Sequence, residues 1–306
     1  MIAPSTRAPV AIVLAALAPG LVVSSAVYGA GALANVVSTI AMAYLVEAAA
    51  VAARGREVRV ALQDGSVAIT GALIGMALPP GAAWPVSATA CAAGLLLGKH
   101  VYGGHGASPF NPAMVGYVVA YFCFPREMSL WPMPLDVDGV TAATALEVFR
   151  HRGALTVQDV WTATNGFGGL GGLGAEWINA AFLAGGMLLV LRRVIDWRIP
   201  FGMLAALGVL AALGWDGGSS AGLGSPAMHW LTGGTMLAAC FVATDPVTSP
   251  DTARGRLLSG ALIGTLVFVF RAFGAYPDGI AFAVLLANLA APLLDRLQPL
   301  EARGVR

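Results

Sequence analysis

The stretch Asp138-Gly139-Val140-Thr141-Ala142-Ala143-Thr144 combines an acid with two hydroxyl groups among small residues. A threonine hydroxyl becomes a nucleophile once a base or a metal ion activates it, and small neighbours would let another enzyme reach it. The same residue types also suit an ordinary polar turn, in which Asp and Thr oxygens bind free backbone amides. The residue types alone leave both interpretations open.

A glycine-rich run at 98–106 carries two histidines, His100 and His105. Two histidines five residues apart could contribute to a metal site, but no third ligand lies nearby in the sequence. Glycines let the backbone turn sharply, and Asn111-Pro112 is a typical helix start. We therefore expect no metal site here, and the run predicts a tight re-entrant turn before a helix.

Residues 166–171 read Gly-Phe-Gly-Gly-Leu-Gly and formally match the dinucleotide-binding pattern Gly-x-Gly-x-x-Gly. That pattern binds a pyrophosphate only between a strand and a helix of a βαβ unit, with an acid suitably downstream. No strand precedes this run, and no βαβ unit fits the segment. It predicts a flexible glycine-rich lead into the next helix.

The composition indicates an integral membrane protein, because 58% of the 306 residues are hydrophobic and only 11% are charged. The net charge of +1, without a basic run, argues against a nucleic-acid partner. No Cys-x-x-Cys spacing suggests a metal or cluster site. The single cysteines are Cys91, Cys123 and Cys240.

Hydropathy predicts an all-α polytopic fold with about ten transmembrane helices. Several candidate spans are shorter than the ~20 residues that cross a bilayer and end at prolines, which indicates broken or re-entrant helices. The first run lacks a clear cleavage site, so we expect a transmembrane helix there rather than a secretory signal. The spans are 9–29, 32–53, 65–79, 84–99, 112–125, 177–192, 199–214, 227–243, 257–273 and 279–295.

The basic residues predict the orientation. With the N-terminus inside, four of the 17 lysines and arginines fall on the outer side, namely Arg126, Arg150, Arg152 and Arg271, and the other thirteen fall inside. This agrees with the positive-inside rule. Both termini should therefore be cytoplasmic, and the loop with Thr144 should be extracytoplasmic.

The chain divides into a first membrane repeat at 1–125, a polar loop at 126–176 and a second repeat at 177–306. Thr70-Gly71 precedes an apolar run that stops at Pro79-Pro80, and Thr232-Gly233 precedes one that stops at Asp245-Pro246. Five spans per half would make the second copy run opposite to the first, as in inverted repeats with a ligand site near the membrane's middle. Chance similarity between Gly/Ala-rich helices is the alternative.

Ionisable residues inside the predicted spans are few. Groups of this kind near span ends usually reach the interface or cap helices. Asp245, next to Pro246 at a predicted helix break, is the best candidate for orienting backbone near a ligand or an ion. The main charges are Glu47, Asp245, Arg271, Asp278 and Asp295.

Several motifs together resemble the D subunit of the Rnf electron-transport complex. The run 98–114 resembles that family's GKHxFGGxGxNPFNPAM block, and Phe241 to Pro250 and Leu78-Pro79-Pro80-Gly81 also match in the family's order. The B subunit of the sodium-translocating NADH:quinone reductase is a close cousin, but it usually carries an N-terminal extension that does not precede these motifs here. We therefore expect the Rnf subunit.

This resemblance implies a covalent cofactor. Asp138–Thr144 resembles the flavin-attachment signature Asp-x-x-(Ser/Thr)-Gly-Ala-Thr, whose last threonine carries FMN through a phosphoester. Thr144 is then the attachment residue, with Asp138, Thr141 and Asp245 as further cofactor-binding candidates and no catalytic residue. Ala142 replaces the usual glycine, which would hinder attachment if a positive φ were needed there. A second, non-covalent flavin, riboflavin, is also implied, without assigned residues.

The function implied is that of a membrane subunit of a translocase in the bacterial inner membrane. It would relay electrons between NADH-linked and ferredoxin- or flavodoxin-linked partners, coupled to Na+ or H+ movement, without acting on NADH alone. Other Rnf subunits bearing flavin or iron–sulfur centres, and a flavin transferase, are the implied partners. There are two alternative functions: a secondary transporter, and a membrane scaffold whose flavin site is inactive.

Overall fold

The computed structural model describes residues 7–104, 106–135, 141–142, 144–163, 167–274 and 278–297. Within these ranges the protein is predominantly helical, as its composition predicts. The helices up to the polar loop are α1 (Arg7–Tyr28), α2 (Ala30–Ala53), α3 (Val58–Ala61), α4 (Ser66–Ala77), α5 (Trp84–Leu95), α6 (Pro112–Cys123) and α7 (Pro125–Ser129). The later helices are α8 (Ala145–Arg150), α9 (Val157–Ala163), α10 (Ala175–Leu191), α11 (Arg198–Gly214), α12 (Pro226–Leu231), α13 (Thr235–Leu237), α14 (Ala253–Phe273) and α15 (Ile280–Arg296).

Three helices are long and apolar enough to cross a membrane, counted over the described ranges by length and composition. They cover Pro9–Tyr28, Ala30–Ala53 and Ala253–Phe273. Four further apolar helices, α4, α6, α10 and α11, have 10–17 residues, fewer than the ~20 that a straight crossing needs. A membrane protein is thus supported, whereas the ten crossings, the inverted repeat and the domain boundaries remain predictions.

Two apolar segments change their helical winding. α5 continues into a π-helix at Leu96–His100, and α13 continues into another at Ala238–Val242. α12 and α13 are separated by a break at Thr232–Gly234, where Gly233 has a φ of 59°. Breaks of this kind free backbone groups for other partners inside a membrane protein.

Small residues let the long helices approach each other closely. A Cβ at Gly264 of α14 would overlap the Met203 carbonyl oxygen of α11, and one at Gly185 of α10 would overlap the Ala16 carbonyl oxygen of α1. Helices in membranes commonly associate through such small-residue contacts, because lipid supplies no hydrophobic driving force between them.

The polar loop has a small core of its own and a short strand pair. Its apolar cluster consists of Ala145, Leu146, Phe149, Val157, Val160, Phe167 and, from α12, Met228. Antiparallel strands β1 (Trp131–Pro132) and β2 (Thr141–Ala142) pair Trp131 with Ala142. The sequence predicted an all-α fold, and this short strand pair is a departure from it. Backbone groups in the loop need hydrogen-bond partners, and the strand pair supplies some of them.

Some charged side chains depart from the expectation that they reach the interface or cap helices. Glu47 is buried between Lys99 Nζ, at 2.8 Å from Oε1, and His100 Nε2, at 3.0 Å from Oε2. Arg271 is also buried. Asp295 does support a helix start, since its carboxylate accepts from the amide of Thr252, the N-cap residue of α14, at 2.9 Å. Buried charges need such partners, because an isolated ion inside a protein is strongly disfavoured.

Candidate functional site

Thr144 lies at the N-terminal end of α8, where it caps the helix. Its Oγ1 accepts a hydrogen bond from the Glu147 amide at 3.3 Å, and its backbone is extended, with ψ of 157°. A capping hydroxyl accepts rather than donates. Its proton is therefore not used in this bond, and the oxygen could carry a substituent while the cap remains.

The strand pair joins the segment before Thr144 to the end of α7. Pro132 pairs with Thr141, and it lies three residues after Ser129, the last residue of that helix. Asp138 lies outside the described residues, and so does the Thr141 side chain. The structure therefore places Thr144 and the Thr141 backbone, and the roles of Asp138 and Thr141 stay predictions.

Thr144 borders a cavity of about 240 Å³. This is far larger than the roughly 30 Å³ that a water molecule occupies in the liquid. Both halves of the chain and the polar loop contribute to its wall. The lining includes Leu21, Tyr28, Gly75, Met114, Tyr117, Trp131, Thr144, Phe182, Gly233, Leu237, Asp278 and Phe282.

Aromatic side chains form part of this wall. Tyr28 and Trp131 meet edge to face at 6.2 Å between ring centroids, and Tyr117 and Tyr121 stack at 6.4 Å. A mostly apolar, partly aromatic wall with a few polar groups is typical of sites for flat organic ligands.

Two carboxylates belong to the described lining, those of Glu147 and Asp278. Asp278 Oδ1 lies 2.5 Å from Arg271 Nη2, and Asp278 Oδ2 accepts from the Gly234 amide at 3.3 Å. A Cβ at Gly233 would lie 2.6 Å from Asp278 Oδ2, so glycine is needed there for the backbone to approach the carboxylate.

Asp245 is placed elsewhere, in a polar junction that is not part of the cavity lining. Its Oδ1 accepts from the Val247 amide at 3.0 Å, and its Oδ2 accepts from Asn111 Nδ2 at 3.2 Å. The Asn111 backbone amide in turn donates to Asn288 Oδ1 at 3.0 Å. Asp245 thus orients backbone at the end of a broken helix, while its contact with a flavin or an ion stays a prediction.

Residues 169–171 of the glycine-rich run bind a carboxylate of the same chain. Glu176 accepts from the amides of Leu170 at 3.0 Å and Gly171 at 3.3 Å, and from that of Gly169 at 3.4 Å. These amides, which a nucleotide-binding loop would offer to phosphate, are already occupied. In this segment Trp161 also donates to the Gly168 carbonyl at 2.8 Å.

The polar loop holds a titratable group with a local partner. The Thr156 hydroxyl, which donates to Asp159 at 2.7 Å, lowers the pKa of that carboxyl below its usual value. Among the described residues, no group of three or more histidines, cysteines or acids could hold a metal ion, and His105 lies outside them.

The sequence marks Arg271 and Asp278 as charges but does not connect them to Thr144. Arg271 and Asp278 are seven positions apart in the sequence, and the end of α14 lies between them. Only the fold brings Asp278 to the cavity wall. The sequence did contain a signal for this pair, because an arginine inside an apolar segment requires an acidic partner.

Comparison with known proteins identifies the family. Residues 3–302 match a single family along almost the entire chain. The chain belongs to the NQR2, RnfD, RnfE family. The family expected from the motifs is thereby confirmed.

Relatives within the NQR2, RnfD, RnfE family are similar over most of their length. The D subunit of the ion-translocating oxidoreductase complex of Pseudomonas paraeruginosa is 45% identical, covering 95% of this chain and 89% of the relative. The protein of the same name from Ectopseudomonas mendocina is 46% identical, covering 92% and 87%. That from Yersinia enterocolitica is 40% identical, covering 95% and 92%.

Proposed function

We propose that this protein is the D subunit of an Rnf-type ion-translocating oxidoreductase, and that it relays electrons through FMN bound covalently to Thr144. The relatives' shared name supports the first part. The second part rests on one observation, that Thr144 borders a cavity between the two halves of the chain. A flavin on Thr144 would lie in that cavity rather than in the outer aqueous space.

The residues present fit such a group. The aromatic side chains of Tyr28, Tyr117 and Trp131 offer apolar surface to a flat ring, and Gly234, whose Cβ position has no neighbour within 4 Å, leaves room near Asp278. Polar groups at the wall can bind ring or ribityl atoms. FMN would supply one- and two-electron chemistry, which links hydride carriers to single-electron carriers.

Attachment requires a separate transferase with Mg2+. The Thr144 oxygen would attack the phosphorus atom of the FMN half of FAD, forming the P–O bond of the phosphoester while AMP leaves and the hydroxyl proton is released. No electrons are exchanged in this step. Because a hydroxyl is a poor nucleophile until it is activated, the transferase must bind the loop around 138–144.

The membrane location and the partner subunits complete the proposal. We place the protein in the bacterial inner membrane with both termini cytoplasmic and the Thr144 loop extracytoplasmic, following the positive-inside distribution. Other Rnf subunits would carry out NADH and ferredoxin or flavodoxin chemistry, and Na+ or H+ would be moved by the complex. A second, riboflavin cofactor is part of the proposal without assigned residues.

A secondary transporter is the alternative function. The break at Thr232–Gly234 is a feature that transporters also use at their substrate sites. A transporter has no need of a flavin on Thr144, so covalent flavin distinguishes the two functions. The B subunit of the sodium-translocating NADH:quinone reductase is a further alternative, which belongs to a different complex. The proteins that co-purify with this chain would show which of the two complexes it belongs to.

The test is flavin fluorescence of the denatured chain on a gel, for the native protein and two threonine variants. Native protein should fluoresce, Thr144→Ala should lose the signal, and the matched control Thr141→Ala should keep most of it. All three should reach similar levels in the membrane, because the loop lies outside the apolar core. Fluorescence retained in Thr144→Ala, or lacking in the native chain, would exclude Thr144 as the attachment residue.

A further inference from the structure

The ion pair of Arg271 and Asp278 stands at the edge of the cavity with unequal exposure. The Arg271 side chain is 1% exposed, whereas that of Asp278 is 33% exposed. Arg271 Nε and Nη2 both contact Asp278 Oδ1, at 3.1 Å and 2.5 Å. The carboxylate is therefore the open member of the pair, and it is the member that lines the cavity.

The guanidinium is fixed by neutral acceptors on the broken helix. Arg271 donates to the His229 carbonyl at 2.7 Å, to Thr235 Oγ1 at 2.9 Å and to the Thr232 carbonyl at 3.4 Å. These contacts hold the charge in place but do not neutralise it. Asp278 supplies the negative charge that a buried guanidinium requires.

The other oxygen of Asp278 has room for a further donor. Among the described residues, Oδ2 accepts one long bond, from the Gly234 amide at 3.3 Å, whereas a carboxylate oxygen can accept two. Gly234, which also lines the cavity, has no neighbour within 4 Å of its Cβ position, so the space beside it is open. A ligand in the cavity would meet an ionised acceptor at this point.

We infer that Asp278, held in place by Arg271, is the residue that sets the reduction potential of the flavin in the Thr144 cavity. This inference rests on the proposed function. An added electron places negative charge on the flavin, and an ionised carboxylate beside it in apolar surroundings opposes that charge. Asp278 thereby lowers the potential, and without it the positive charge of Arg271 would favour the reduced form.

A simpler alternative is that the pair only anchors the residues just before α15 to the break at Thr232–Gly234. Such a structural role predicts changes in stability or yield, but not a shift in the potential of a flavin that remains bound. The measured reduction potential of the bound flavin therefore distinguishes the two roles.

The experiment uses the full chain, purified in detergent with its covalent flavin and stripped of non-covalent flavin. Optical redox titration should give a higher midpoint potential for Asp278→Asn than for the native protein. We expect at least a tenfold change in the equilibrium constant for adding one electron. This corresponds to a shift of about 59 mV in the midpoint potential. Asp278→Glu should restore a potential close to the native value, because it restores the charge.

The matched control is Glu127→Gln, which removes the same charge from an exposed residue of α7 outside the cavity lining. Its potential should equal that of the native protein. An Asp278→Asn potential equal to that of this control would overturn the inference, even with the flavin fully bound.

Asp278→Asn leaves a buried cation unpaired and could fail to fold. The double variant Arg271→Gln with Asp278→Asn removes both charges and avoids that problem. Because the carboxylate borders the cavity and the guanidinium is buried behind it, the double variant should still lie above the native potential. A native-like potential in the double variant would also contradict the inference.

Covalent flavin content is read first, from fluorescence of the denatured native chain. If the native chain has no flavin, the proposed function fails and this inference is rejected with it. If the flavin is present and the potentials do not move, the inference alone fails.

Discussion

At the residue scale, Thr144 combines two roles. A lone pair of its Oγ1 caps α8 through the Glu147 amide, and the residue borders the cavity. A phosphoester would use the bond to the proton and leave a lone pair on the oxygen. The residue can therefore be proposed as an attachment point without loss of the helix that positions it.

Ala142 gives a prediction at the same scale. It lies in β2, paired with Trp131, and Arg193 is the only non-glycine with a positive φ among the described residues. The backbone at position 142 therefore has a conformation that alanine adopts without strain. Ala142→Gly should leave flavin labelling of the native loop unchanged, as measured by fluorescence per unit of protein on a denaturing gel, with Thr144→Ala as the negative control. A several-fold gain would show that the transferase requires a conformation that alanine disfavours.

At the element scale, helix contacts depend on glycines whose Cβ positions are occupied by backbone. Gly264→Ala should be destabilising although alanine favours a helix by roughly 1 kcal/mol, because the added methyl overlaps the Met203 carbonyl oxygen. Overpacking of this kind costs roughly 1–3 kcal/mol. Thermal unfolding in detergent should show a lower midpoint for Gly264→Ala. The control Gly169→Ala, where the added methyl has no neighbour within 4 Å, should match the native midpoint, and equal midpoints for both variants would contradict the packing account.

The sequence predicted where apolar helices lie more successfully than which side chains they bring together. Apolar runs and flanking prolines sufficed for a helix in the region of α6, because these signals are local, whereas the break at Thr232–Gly234 falls inside the predicted span 227–243 and was not predicted. The pairing of Glu47 with Lys99 joins residues 52 positions apart, and Asp278 reaches the wall near Thr144 only through the packing of α15. Such contacts depend on how the helices pack, which hydropathy does not specify.

At the scale of the whole molecule, the orientation in the membrane follows from charge and can be measured. In a Cys123→Ser background, which removes the exposed native cysteine, single cysteines can replace exposed Gln158 in the loop and exposed Glu57 after α2. A membrane-impermeant reagent should label Gln158→Cys in intact cells, and Glu57→Cys only after the membrane is opened. The reverse pattern would place the Thr144 loop in the cytoplasm.

The proposed function of the whole molecule depends on one covalent bond, because we interpret the cavity as a flavin site only through Thr144. The most direct measurement is mass spectrometry of the peptide that contains residue 144, taken from the native chain after proteolysis of the denatured protein. We predict that this peptide carries the added mass of one FMN less one water, with fragment ions that assign it to Thr144 and not to Thr141. An unmodified peptide, or a flavin mass on another residue, would contradict the proposal.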